Sequence, residues 1–203
     1  MNYRLQDIMK MIIPGLYLMA LILGYEILNS NFDIDTSKWK DLSAMVVLLI
    51  PFVGFVLGYF VECVTAGIEH GWYALRWRRP SKNILKGSSK YPVANIEKIK
   101  MKHQLTSGNI SNDKANEVLQ IAKQCIPNKE VVEPYRNNAT LARNIFGAQL
   151  IFTIIYAALL DAFYTEVYWY LSLFALLVFL GYWIHHNHVY VKYVLAEYGK
   201  SLA

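Results

Sequence analysis

Catalytic and nucleotide-binding signatures are missing from this chain. It has no P-loop, no Gly-x-Gly-x-x-Gly run and no RNA-binding signature, so any phosphate recognition would rest on charge alone. Ser107, Ser111 and Ser172 lack the glycine-flanked elbow that exposes a nucleophilic serine. No acid/base pair stands out. There is no His-Glu-x-x-His and no paired-cysteine motif of the zinc-site kind. Cysteine itself is scarce: Cys63 and Cys125 lie far apart, which fits two reduced thiols rather than a disulfide framework. No low-complexity stretch or internal repeat interrupts the sequence.

What is abundant is apolar surface. The 203 residues are 55% hydrophobic, above the roughly 45–50% of a soluble domain. The excess sits in four runs: Met11 to Leu28, Leu42 to Cys63, Ile145 to Phe163 and Tyr168 to Ile184. About 20 such residues cross a bilayer as a helix, and a backbone in hydrocarbon must bond to itself. The runs do not alternate polar with apolar, which excludes a β-barrel reading. The first run is too long for a signal-peptide core and ends without a small-x-small cleavage site, so it is expected to be a membrane helix. The fold class expected is an all-α integral membrane protein, with four transmembrane helices and a small helical cytoplasmic insert between the second and third.

Charge sets the expected orientation. Most of the 20 Lys and Arg residues fall between the second and third runs. The first loop balances Lys38 and Lys40 against Asp33, Asp35 and Asp41. The last hairpin carries Asp161 and Glu166 and no cation. The positive-inside rule therefore places the middle segment and both termini in the cytoplasm. Trp39, Tyr164, Tyr168, Trp169 and Tyr170 fit the outer headgroup level, and Trp72, Tyr73 and Trp77 the inner one. The net charge of +5 follows from this asymmetry. A bacterial inner membrane is the expected location.

Three segments result: 1–79, a membrane hairpin whose second helix runs on into the cytosol; 80–133, a basic helical insert; and 134–203, a second hairpin with a cytoplasmic tail. The long second helix is expected to end at Pro80 and Gly87-Ser88-Ser89. Ser111 is the expected cap of a helix stopping before Pro127, with a shorter helix over 94–104. Pro134 suits the first turn of the third membrane helix.

Several side chains carry candidate functions. Gly54, Gly58 and Glu62 are spaced by four and share one side of the second helix. Gly54-x-x-x-Gly58 permits close helix approach, within the chain or between copies. A carboxylate in a span costs about 2.5–3.5 kcal/mol at the bilayer centre and tends to mark ion or proton paths. Glu62 therefore reads either as a pore-lining acid or as a group reaching the inner interface or Arg143. Gln149 and Thr153 share a face of the third helix, for packing or for pore lining. Arg76, Arg78, Arg79, Lys82, Lys86, Lys90, Lys98, Lys100, Lys102, Arg136 and Arg143 form a candidate basic face for lipid headgroups or nucleotide phosphates, with Trp77, Tyr91 and His103 available to stack bases. Glu69, His70, His185 and His188 are the candidate metal ligands if the second and fourth helices end at similar depth, although their spacing matches no metal motif. No catalytic residue and no cofactor is expected.

The long helix from Gly54-Phe-Val-Leu-Gly58-Tyr59 to Trp77-Arg78-Arg79, the basic insert, and Tyr135-Arg136-Asn137 through Ala142-Arg143-Asn144 give a layout. That layout resembles the small four-helix membrane effectors of bacterial antiphage systems of the Hailong type. The resemblance implies a homo-oligomeric channel that depolarises the host. It also implies a short nucleotide or oligonucleotide ligand on the basic cytoplasmic face, made by a partner nucleotidyltransferase. Two other classes stand beside it: a membrane-embedded metal-dependent enzyme, and an accessory or scaffold subunit.

Overall fold

The structure is a computed structural model that describes residues 5–29, 36–74, 79–87, 90–106, 110–159 and 166–202. These form seven helices: α1 Leu5–Asn29, α2 Thr36–Ala74, α3 Pro80–Leu85, α4 Ile96–Lys102, α5 Asn112–Cys125, α6 Lys129–Leu159 and α7 Glu166–Lys200. No strand occurs among the described residues. Windows within α1, α2, α6 and α7, at Ile8–Tyr25, Leu49–Trp72, Lys129–Ala157 and Trp169–Lys200, are long and apolar enough to cross a membrane. The four apolar runs lie on these four helices, apart from 160–163 of the third, which lie outside the described residues.

The chain divides into two compact units that cut across the three segments drawn from sequence. One comprises 1–67 and 140–181, the other 68–139 and 182–203. α2, α6 and α7 each contribute residues to both.

The first unit is held together by glycine. A Cβ placed on Gly58 would lie 2.6 Å from the Met11 carbonyl carbon and closer still to its oxygen; one on Gly15 would lie 2.6 Å from the Gly58 nitrogen. α1 and α2 therefore touch backbone to backbone, a distance that only glycine allows. The Gly54-x-x-x-Gly58 pattern is thus used inside the chain, with Gly15 as its counterpart. Gly147 of α6 likewise meets the Thr65 side chain of α2. Leu18, Val61 and Ala148 are buried beside these contacts. The opposite faces are apolar and exposed, as with Phe52, Tyr59 and Phe60 on α2 and Phe174 and Leu177 on α7.

The second unit has a hydrophobic core of its own. Ile84 and Leu85 of α3, Ile99 of α4, and Ala115, Val118 and Ala122 of α5 pack with Val191, Val194, Leu195 and Tyr198 of α7. The Ser111 side chain accepts from the Lys114 amide at 3.1 Å and caps α5, as the sequence reading expected. The α4 helix falls inside the expected 94–104 stretch.

Two boundaries go beyond that reading. Arg79 is extended (φ −67°, ψ 119°) and Pro80 opens α3. A residue before proline avoids the α region, and proline itself suits a first helical turn. Pro80 therefore starts a helix, α3, and Gly87 at φ +90° follows its end; the stretch 75–78, where the end of α2 was expected, lies outside the described residues. α6 begins five residues before Pro134, where the Asn128 side chain accepts from the Glu130 amide at 3.1 Å. Pro134 then sits inside the helix.

Candidate functional site

The most unusual chemistry in the first unit lies one turn beyond Gly58. The Arg143 guanidinium of α6 stands 3.5 Å from Glu62 Oε1 of α2, with the side chains 14% and 26% exposed. Arg143 Nε donates to Asn144 Oδ1 at 3.2 Å. Asn144 is fully buried. Its Nδ2 donates to the Lys10 carbonyl at 3.5 Å, and its Oδ1 lies 3.0 Å from the Thr65 hydroxyl. One polar network so joins α1, α2 and α6. Glu62 Oε2 is buried and has no hydrogen-bond partner among the described residues. The pairing with Arg143, one of the alternatives open for Glu62, is present in the structure. The guanidinium of Arg143, one of the residues of the expected basic face, is engaged within the first unit.

A second polar group lies farther along α6. Gln149, Thr153 and Ser172 are all buried. The Thr153 hydroxyl donates to the Gln149 carbonyl at 2.7 Å, Gln149 Nε2 donates to Ser172 Oγ at 3.0 Å, and Tyr17 donates to Gln149 Oε1 at 2.6 Å. Gln149 and Thr153 share a face, as their spacing predicts, and that face is turned into the unit. Sequence reasoning missed Tyr17 and Ser172 as their partners. A lone serine and a tyrosine within apolar runs were the available signal.

In the second unit, Lys86, Lys90, Lys98, Lys102 and Arg136 are exposed, while Arg79 and Lys82 are half-buried. Lys100 is buried and bonded to Glu97 at 2.8 Å, which removes it from an open basic surface. Its long stem is covered by the helical core while its ammonium is neutralised locally. Arg76, Arg78 and Trp77 lie outside the described residues. Lys90 stands 5.8 Å from the Tyr91 ring and Lys102 5.5 Å from the Tyr198 ring, within cation–π range. Lys123 is pushed below its ordinary pKa, first by burial and then by Arg136, against the opposing pull of Glu69.

The candidate metal ligands do not converge. His188 Nδ1 lies 2.8 Å from the Ile184 carbonyl, and its ring stacks on Tyr91. His185 Nδ1 lies 3.1 Å from the Tyr91 hydroxyl. Glu69 acts on Lys123, and His70 is exposed. Among the described residues no three His, Cys, Asp or Glu side chains are grouped to hold a metal ion.

His103 links α4 to the core: its Nε2 lies 2.9 Å from the Tyr198 hydroxyl. Burial lowers its pKa, with Lys102 and Lys114 adding to the effect and Glu117 opposing it. The folded pKa thus lies below the unfolded one of about 6.5. Between the two values the unfolded chain binds more protons, so stability falls as pH drops below about 6.5. Hydrogen exchange at the α4 and α5 amides is expected to be faster at pH 5.5 than at pH 7.5, after correction for intrinsic rates. His103→Gln, which cannot titrate, should shrink that difference.

Searches against protein-family models, curated proteins and solved structures found no match to this chain.

Proposed function

We propose that this chain is the subunit of a homo-oligomeric ion-conducting membrane effector, with α1, α2, α6 and α7 as its spans. The Glu62–Arg143 pair is the observation that carries this reading. Two opposite charges sit on helices apolar enough for a bilayer, with one carboxylate oxygen unbonded. Ionisable groups at such positions are costly, and where they occur they commonly serve ion or proton movement. A single chain has too few spans to enclose a path in the manner of transporters built from inverted repeats, so copies arranged about an axis are required. Because the glycine contacts are spent between α1 and α2, the contact between copies is assigned to the exposed apolar faces of α2 and α7. Gating is assigned to an anionic ligand, a nucleotide or oligonucleotide, on the exposed Lys86, Lys90, Lys98, Lys102 and Arg136, which face the cytoplasm on the positive-inside rule. A nucleotidyltransferase partner would supply that ligand.

Membrane potential in cells co-expressing the neighbouring genes tests the reading. The wild type should depolarise them, and Glu62→Gln should weaken or alter the response at equal membrane abundance. An unchanged potential with inserted wild-type protein would favour the scaffold class instead.

A further inference from the structure

The first unit contains a cavity of about 300 Å³ between α1, α6 and α7. Its walls are apolar, with Leu21 and Phe152 among them, and one end is polar, formed by Tyr17, Gln149 and Ser172; no charged side chain among the described residues lines it. A 150 Å³ apolar cavity holds a benzene-sized molecule, so this one has room for roughly a dozen heavy atoms.

The polar end is selective because its hydrogens are all committed. Tyr17 donates to Gln149 Oε1. Thr153 donates to the Gln149 carbonyl, which leaves the Ser172 hydroxyl to donate to Thr153 Oγ1 at 2.8 Å. Gln149 Nε2 spends one hydrogen on Ser172 Oγ and directs the other toward Thr153 Oγ1 and the Ser172 carbonyl, each at 3.4 Å. What remains are acceptor lone pairs, on Tyr17 Oη and Gln149 Oε1. A guest that brings a donor hydrogen gains a bond there. At that end a ketone or an alkane does not, and a charged headgroup would lose its hydration with no counter-ion among the described lining residues.

We infer that this cavity is a binding site for an uncharged, single-chain membrane alcohol, with its hydroxyl donating to Gln149 or Tyr17 and its chain running along α1 toward Gly24. The site does not depend on ion conduction.

A diazirine analogue of 1-decanol tests it on the full chain in phosphatidylcholine nanodiscs, with labelled peptides mapped by mass spectrometry. Saturable labelling is expected on peptides spanning 17–25 or 149–156. At equal mole fraction in the bilayer, 1-decanol should compete at least tenfold better than 2-decanone or decane. Gly24 lines the cavity and a Cβ there meets nothing within 4 Å, so Gly24→Phe has an unobstructed start from which to occupy it. It should abolish labelling with the melting temperature kept or raised. Non-saturable labelling, equal competition by decane, or labelling that survives Gly24→Phe would each overturn the assignment.

Discussion

Gly58→Leu is expected to separate α1 from α2 and to leave little folded protein in the membrane. Even the first carbon of the new side chain would enter the Met11 carbonyl group. The obstruction is backbone, which cannot rotate aside as a side-chain end can. Overpacking a tight site costs typically about 1–3 kcal/mol, occasionally more, and this contact belongs at the severe end. The prediction is graded. Gly15→Ala should resemble Gly58→Ala, since it meets the backbone of Gly54 and Gly58. Gly54→Ala meets the Leu16 side chain at 2.7 Å and backbone, the Ile12 carbonyl oxygen, only at 3.6 Å, and should be milder. Gly67→Ala and Gly71→Ala meet nothing within 4 Å and should be neutral or stabilising, because alanine is the better helix former by roughly 0.8–1.0 kcal/mol. Thermal melts of the purified variants in one detergent check the order. Equal losses at Gly58 and Gly67 would contradict the packing described.

Arg143→Met should destabilise the first unit strongly, and Glu62→Gln in the same chain should return much of the loss. Breaking a buried ion pair costs about 3–5 kcal/mol, because the survivor is left without compensation. Here that range is an upper bound, since Glu62 is 26% exposed. Glu62→Gln alone should cost less, because Arg143 Nε keeps Asn144 Oδ1. A double-mutant cycle on urea or thermal unfolding reads the coupling directly. A coupling near zero would show that the two groups do not act as a pair.

The four long helices were legible because a bilayer-length apolar run has few other solutions, and the α5 start was legible because Ser111 caps locally. The partners of the key residues were not. Glu62 and Arg143 are 81 positions apart, and no spacing rule links them. The role of Gly15 as the third member of the Gly54–Gly58 contact depends on how two helices cross. Lys100 looked like one more cation of the basic segment until its helix turned it onto the core. The polar face of Gln149 and Thr153 was correctly drawn, but periodicity says which residues share a face, not what that face meets. That Pro80 also opens a helix was not legible, because proline is compatible with the start of a helix as well as with its end, and Arg79 had to adopt an extended backbone before the first role was visible.

Ion flux through the purified protein in liposomes tests the central claim most directly. The probe is a potential-sensitive dye under a K⁺ gradient, with wild type, Glu62→Gln and Arg143→Gln reconstituted at equal density, with and without a short oligonucleotide. The account predicts flux from an oligomeric wild type, responsive to the anionic ligand, with rate or selectivity changed by Glu62→Gln. A monomeric wild type that passes no ion under any ligand condition would contradict it.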